Sequence, residues 1–146
     1  LVADALSRFA LSFLKGYRSW IAEAKYGASR FDFKLEYPGG KTAFMEVKSV
    51  SLVEEGVGRF PDAPTERGRK HLKELIAFKK EGGRSIVLFV SPRSDTRRIT
   101  ANDGVDPQFG EWLRRAHSAG VELYGYNCKV TADAISLNRP VDVVLA

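Results

Sequence analysis

Phe44-Met45-Glu46-Val47-Lys48-Ser49-Val50, read together with Arg30-Phe31-Asp32-Phe33, is the stretch on which the fold turns. Apolar Phe44, Met45, Val47 and Val50 surround Glu46 and Lys48, so two charged side chains occupy a segment that otherwise reads as core. Side chains alternate between the faces of a strand, which puts Glu46 and Lys48 on one face, roughly 6.5 Å apart, with Val47 pointing the other way. Asp32, flanked by Phe31 and Phe33 on the opposite face, sets a second acid on the preceding strand. Two acids and a lysine on neighbouring strands are the layout of a metal-dependent phosphodiesterase site.

Outward from this pair, Phe31 to Tyr37 alternates until Pro38-Gly39-Gly40 breaks it, and Lys41 to Val53 returns as the longest strand, so a hairpin is expected. Upstream, Val2, Leu6, Phe9, Ala10 and Phe13 recur at helical spacing with Gly16 as the stop, and Trp20 to Lys25 is a short first strand or an approach segment. Downstream, Glu54 to Pro61 is Gly-rich and is expected to be an irregular flap beside the site. Asp62 reads as the cap of a helix with Pro64 in its first turn, running to Glu81 with Leu72, Leu75 and Ile76 as its buried stripe.

Ile86-Val87-Leu88-Phe89-Val90 is continuously apolar, the mark of a strand covered on both faces. Asp106-Pro107 caps a helix through Ala119, Val121 to Val130 is another strand, and Ile135 to Leu137 adds an edge hairpin. The order predicts a mixed α/β domain.

The 146 residues suit a single domain spanning 1–146, and 44% hydrophobic with 28% charged content is that of an ordinary globular protein. No run reaches the length of a membrane span and no signal peptide is evident, so a cytoplasmic protein is expected, with no membrane partner. One cysteine, Cys128, excludes an intrachain disulfide and a cysteine-based zinc site, and its alternating surroundings make it a packed strand residue.

The net charge of +5 favours an anionic partner. Arg67, Arg69, Lys70, Lys73, Lys79, Lys80 and Arg84 fall in and after one helix, and Arg93, Arg97 and Arg98 in a loop after the next strand. These two segments either line a phosphate track or, with Glu66, Glu74 and Glu81 interleaved, form the solvated face of a helix.

Glu23, Asp32 and Glu46 bring up to three negative charges into one small space, which calls for a cation. All-oxygen ligands suit Mg²⁺ or Mn²⁺, and the want of a His or Cys cluster argues against zinc. Glu23, near a strand start, is either such a ligand or an ordinary exposed acid. His71 and His117 stand alone in the sequence and are read as surface or packed histidines. Pro61-Asp62 lies after the acid-x-lysine, so Asp62 belongs to its helix and not to the site.

Asp32 with Glu46-Val47-Lys48 resembles the core of the PD-(D/E)xK nuclease superfamily. The longer strings Glu23-Ala24-Lys25-Tyr26-Gly27, Ser29-Arg30-Phe31-Asp32-Phe33, Met45 to Val50, Phe60-Pro61-Asp62-Ala63 and Thr65-Glu66-Arg67-Gly68 resemble the sugar fermentation stimulation protein family, and the likeness extends to Pro140-Val141. It implies a restriction-endonuclease-like fold, a central mixed β-sheet flanked by helices.

It also implies that Asp32, Glu46 and the Val47 carbonyl bind the metal, with Glu23 as a further donor, and that Lys48 orients or activates the attacking water. Catalytic roles thus fall to Asp32, Glu46 and Lys48, and DNA contacts to Arg67, Lys70, Lys73, Arg97 and Arg98. In that family an OB-like domain precedes the nuclease-like one. This chain, starting at Leu1, is expected to be the second domain alone, with homo-oligomers possible. The expected function is a Mg²⁺- or Mn²⁺-dependent nuclease acting on DNA. The alternative is a non-specific DNA-binding regulator of sugar (maltose) metabolism on a nuclease scaffold.

Overall fold

Ile86 to Val90 is apolar at every position because its strand is covered on both faces, and the rest of the chain is arranged around it. The computed structural model describes residues 1–145. In chain order the elements are α1 (Val2–Ser7), β1 (Ser19–Tyr26), β2 (Ser29–Glu36), a 3-10 turn at Pro38–Gly40, β3 (Thr42–Ser49), β4 (Leu52–Glu54), β5 (Val57–Phe60), α2 (Glu66–Lys80), β6 (Arg84–Val90), β7 (Arg98–Ala101), α3 (Pro107–Ser118), β8 (Glu122–Val130) and β9 (Ile135–Val144). Among these residues no helix is long and apolar enough to cross a membrane.

The strands form one mixed sheet in the order β1-β2-β3-β6-β8-β9-β7-β5-β4. Its centre, β3-β6-β8, is parallel, while β1-β2, β2-β3, β8-β9 and β4-β5 pair antiparallel. Parallel pairing requires long crossovers, and α2 and α3 supply helices for them. The sheet must curl. β3 and β4 lie six places apart in it yet are joined only by Val50 and Ser51. Flat, six steps would span about 29 Å, whereas so short a link reaches about 10 Å. The curl presses Gly58 of β5 onto Val50, where an added Cβ would stand 2.9 Å from the valine Cγ1.

Each face has its own core. Leu6, Leu11, Leu14 and Tyr17 of the N-terminal segment pack on Leu35, Met45, Ile86 and Leu88. On the other face Leu72 and Leu75 of α2 and Phe109 and Leu113 of α3 pack on Phe44, Val87 and Phe89. Cys128 is buried in the first of these cores, as its alternating context predicted.

Several boundaries differ from expectation. The first helix ends at Ser7, because Phe9 turns left-handed (φ 54); Leu11 and Leu14 are still buried, so their spacing serves packing on the sheet, not one continuous helix. The long strand from Lys41 to Val53 breaks after Ser49, the Val50 amide making the last bond of the β3-β6 ladder, to the Val90 carbonyl at 2.8 Å. The expected flap is the β4-β5 hairpin, turned at Gly56 (φ +80) and paired with β7, an element read from sequence as loop. Asp62 is not the cap of α2: Thr65 is, accepting from the Gly68 amide at 2.9 Å, and Pro64 stands just ahead of it. β9 runs on from Leu137 to Val144 because the Asn127 side chain accepts the Arg139 amide at 2.9 Å where the ladder shifts register.

Candidate functional site

The β2-β3 ladder runs from Glu36↔Thr42 to Phe33↔Met45 and stops one residue short of Asp32. There side chains replace it. The Asp32 amide donates to Glu46 Oε1 at 3.2 Å, and the Val47 amide donates to Asp32 Oδ2 at 2.7 Å. On the other side of β2, Ala22↔Phe33 and Ala24↔Phe31 bracket Glu23, which faces Asp32 in register but has a left-handed backbone, φ 56. Such a conformation costs a non-glycine residue on the order of 1 kcal/mol or more and clusters at functional sites.

Asp32 is therefore where two strands cross from one core to the other. Phe31 packs with the helices and Phe33 with the N-terminal segment, so the two do not share a face as simple alternation predicts. Trp20 and Ala24 divide in the same way on β1.

Glu46 and Lys48 project from β3 toward α2. Glu46 is 3% exposed, and Lys48 Nζ lies 3.2 Å from its Oε2. His71, on α2 and 4% exposed, places Nδ1 against the same oxygen and 3.2 Å from Lys48 Nζ. Burial, then the adjacent Glu46 carboxylate, pushes the Asp32 carboxyl up to about 6. Burial alone would raise Glu46 as well, but contacts with His71, Asp32 and Lys48 outweigh it and hold Glu46 at about 2. The two acids titrate as a unit in which Glu46 is the ionised partner.

The donor chemistry fits a hard divalent cation. Two crowded carboxylates, one of them resisting ionisation because of burial and then because of the other, are relieved by a positive charge between them. No group of three or more His, Cys, Asp or Glu side chains among the described residues is arranged to hold a metal. A cation of the Mg²⁺ type does not require one, since it is commonly held by one or two carboxylates with water and substrate phosphate. Glu23 is exposed across from Asp32, and Val47 contributes backbone at the point where Asp32 meets β3.

The cationic candidates separate. Arg67 and Lys70 are exposed on the first turns of α2, with Lys70 Nζ reaching the Ala28 carbonyl at 3.3 Å. Arg67 lies one turn before His71, on the side of the helix that meets the site. Lys73 lies over the Trp112 ring at 4.9 Å, on the α3 side. Arg97 donates to the Glu55 carbonyl at 2.9 Å on the β4-β5 turn, and Arg98 is exposed at the start of β7. His71 is the residue sequence reasoning did not place in the site. It is packed, as expected, but against Glu46 and Lys48. Its signal was positional: it stands next to Leu72 and one turn before Leu75, on the stripe of α2 that faces the sheet.

Residues 1–134 match the family described as Sugar fermentation stimulation protein RE domain. The chain belongs to the sugar fermentation stimulation protein family. A Sugar fermentation stimulation protein homolog of Caldanaerobacter subterraneus is 50% identical over 90% of this chain and 57% of its own length. Homologs from a Thermoanaerobacter species and from Clostridium perfringens are 46% and 44% identical, each over 99% of this chain and 63% of the relative. The chain thus spans about six-tenths of the length of the curated relatives it matches. Among solved structures, that of Pyrococcus furiosus SfsA in complex with Ca²⁺ is 29% identical and superposes with a TM-score of 0.88 over 96% of this chain and 61% of the other. The family's mixed sheet flanked by helices is therefore also the fold of this chain.

Proposed function

We propose that this member of the sugar fermentation stimulation protein family is a PD-(D/E)xK nuclease-like domain that binds DNA and hydrolyses phosphodiester bonds with Mg²⁺ or Mn²⁺. The observation that carries the reading is the convergence of Asp32, buried Glu46 and Lys48 where the β2-β3 ladder opens. Carboxylates repel a phosphate, so their burial at a site of mere phosphate contact would be a cost without return. With a cation they become a means of holding phosphate. The Ca²⁺ complex of the Pyrococcus furiosus relative supports a site for a hard, oxygen-seeking ion.

Asp32, Glu46 and the Val47 carbonyl would hold the cation, with Glu23 as a further donor from β1. When bound, such an ion supplies polarisation of the phosphate and a lowered pKa for coordinated water. Lys48 orients the attacking water and offsets charge that develops on the phosphate, because its ammonium stands beside the acids without being a ligand. Arg67 and Lys70 steer the backbone onto the site, with Arg97 and Arg98 as a second contact zone beyond the β4-β5 turn.

The test is incubation with single-stranded, duplex and branched DNA and with RNA, with Mg²⁺ or Mn²⁺ against a chelator. Cleavage that requires the metal and is lost in Asp32→Asn supports the reading. Salt-sensitive DNA binding with no cleavage under any divalent condition would replace it with that of a regulator on a nuclease scaffold.

A further inference from the structure

We infer that His71 is a positioning residue for the candidate metal site: its Nδ1–H holds Glu46 Oε2, so that the carboxylate presents only Oε1 toward the cation it would share with Asp32. The inference rests on the metal reading above and goes beyond it by assigning a residue from outside the acid-x-lysine strand.

The chemistry of the contacts fixes the proton. Nδ1 makes its shortest contact with Glu46 Oε2, and a carboxylate that is to bind a cation has only acceptor oxygens to offer. Nδ1 must therefore donate. The tautomer that would accept from Lys48 would set two acceptors against each other. Lys48 Nζ, 3.2 Å from Oε2 and 3.2 Å from Nδ1, then donates to the same oxygen alongside the imidazole. Glu46 Oε1 is left to the Asp32 amide and to the space beside the Asp32 carboxylate.

Two consequences follow for the site. Held at one oxygen by an imidazole locked in the helix-facing core, beside the Phe31 ring at 5.6 Å, Glu46 cannot swing to offer both oxygens to the ion. Because His71 continues to satisfy Oε2, Lys48 can also leave Glu46 for water or phosphate without stranding a buried carboxylate oxygen. Groups hydrogen-bonded to a metal ligand act on the metal through that ligand, and their loss typically lowers metal affinity about 10- to 100-fold.

The experiment is Mn²⁺ binding by calorimetry, with thermal unfolding in parallel, on wild type, His71→Ala, His71→Asn, His71→Gln and Asp32→Asn. The Asn Nδ2 stands near the place of the histidine Nδ1 and can donate to Glu46, whereas the Gln amide stands near Nε2. Expected is a 10- to 100-fold weakening in Ala and Gln and a change of only a few-fold in Asn. If His71→Ala does not fold, the Asn and Gln pair carries the comparison. Equal affinity in wild type, Asn and Gln, with Asp32→Asn impaired, overturns the role of His71 and leaves the metal site standing. Equal loss in Asn and Gln overturns it too, since it reduces His71 to packing. Wild type that binds no Mn²⁺ removes the metal reading and this inference with it.

Discussion

Asp32 Oδ2 accepts the Val47 amide at 2.7 Å and so takes the place of the ladder bond that β2 and β3 no longer make at that point. The same carboxylate serves as strand mortar and as candidate ligand, and the two roles respond differently to substitution. An Asn side chain retains an acceptor for the Val47 amide but not the negative charge.

Asp32→Asn should therefore fold and lose Mn²⁺ binding. Its metal-free stability has a definite pH dependence. Asp32 is raised to about 6 in the folded chain, so its contribution is fully present below its ordinary carboxylate range and is lost as pH rises through about 6. Free of metal, the Asn variant should equal or exceed wild type in thermal stability at pH 8, with the difference shrinking below about pH 6. Mn²⁺ should raise the Tm of wild type alone. A variant markedly less stable than wild type at pH 8 without metal would refute the charge-crowding account.

Lys48→Ala separates chemistry from binding. The ammonium is not a ligand, and His71 still holds Glu46 Oε2 in its absence, so Mn²⁺ affinity should stay within a few-fold while metal-dependent nicking falls about a hundredfold or more. Equal nicking rates in variant and wild type would sink the assigned role.

DNA affinity should fall with salt, and Arg67→Glu with Lys70→Glu should lower the slope of log affinity against log salt by about 2. Lys73→Glu should change it less, because that ammonium is occupied over Trp112. Filter binding across a salt series measures both. A slope unchanged in the double variant would remove the start of α2 from the contact surface.

Asp106 ties the two helices together. Its carboxylate accepts from the Phe109 amide at 2.9 Å to cap α3, from the Thr65 amide at 2.9 Å at the head of α2, and from Arg69 Nη1 at 2.6 Å. Asp106→Ala loses a cap and strands a half-buried guanidinium, a cost of about 3 kcal/mol by urea unfolding at neutral pH. Burial would raise the Asp106 pKa, but the two amides and Arg69 outweigh it and depress the pKa below the usual range. Its stability contribution is thus complete above the ordinary carboxylate pKa and drains away as pH falls through the lower, folded value. The gap between variant and wild type should accordingly narrow in acid. A gap independent of pH would mean that packing, not charge, carries the effect.

The local chemistry of the chain was legible from its residues. The apolar run Ile86 to Val90 could only be a strand covered on both faces, Asp106-Pro107 could hardly be other than a helix start, and Glu46 and Lys48 in an apolar strand had to be compensated by something near them. Those conclusions depend on residues close in sequence, where periodicity and capping act. What sequence did not determine depends on distant segments. β7 and the β4-β5 hairpin are strands because a curled sheet returns them to each other's edges, Phe31 and Phe33 part because the ladder opens at Asp32, and His71 joins the site because α2 packs across β3. Pairing and packing across the chain are set by closure of the whole sheet, so only the tertiary structure decides them.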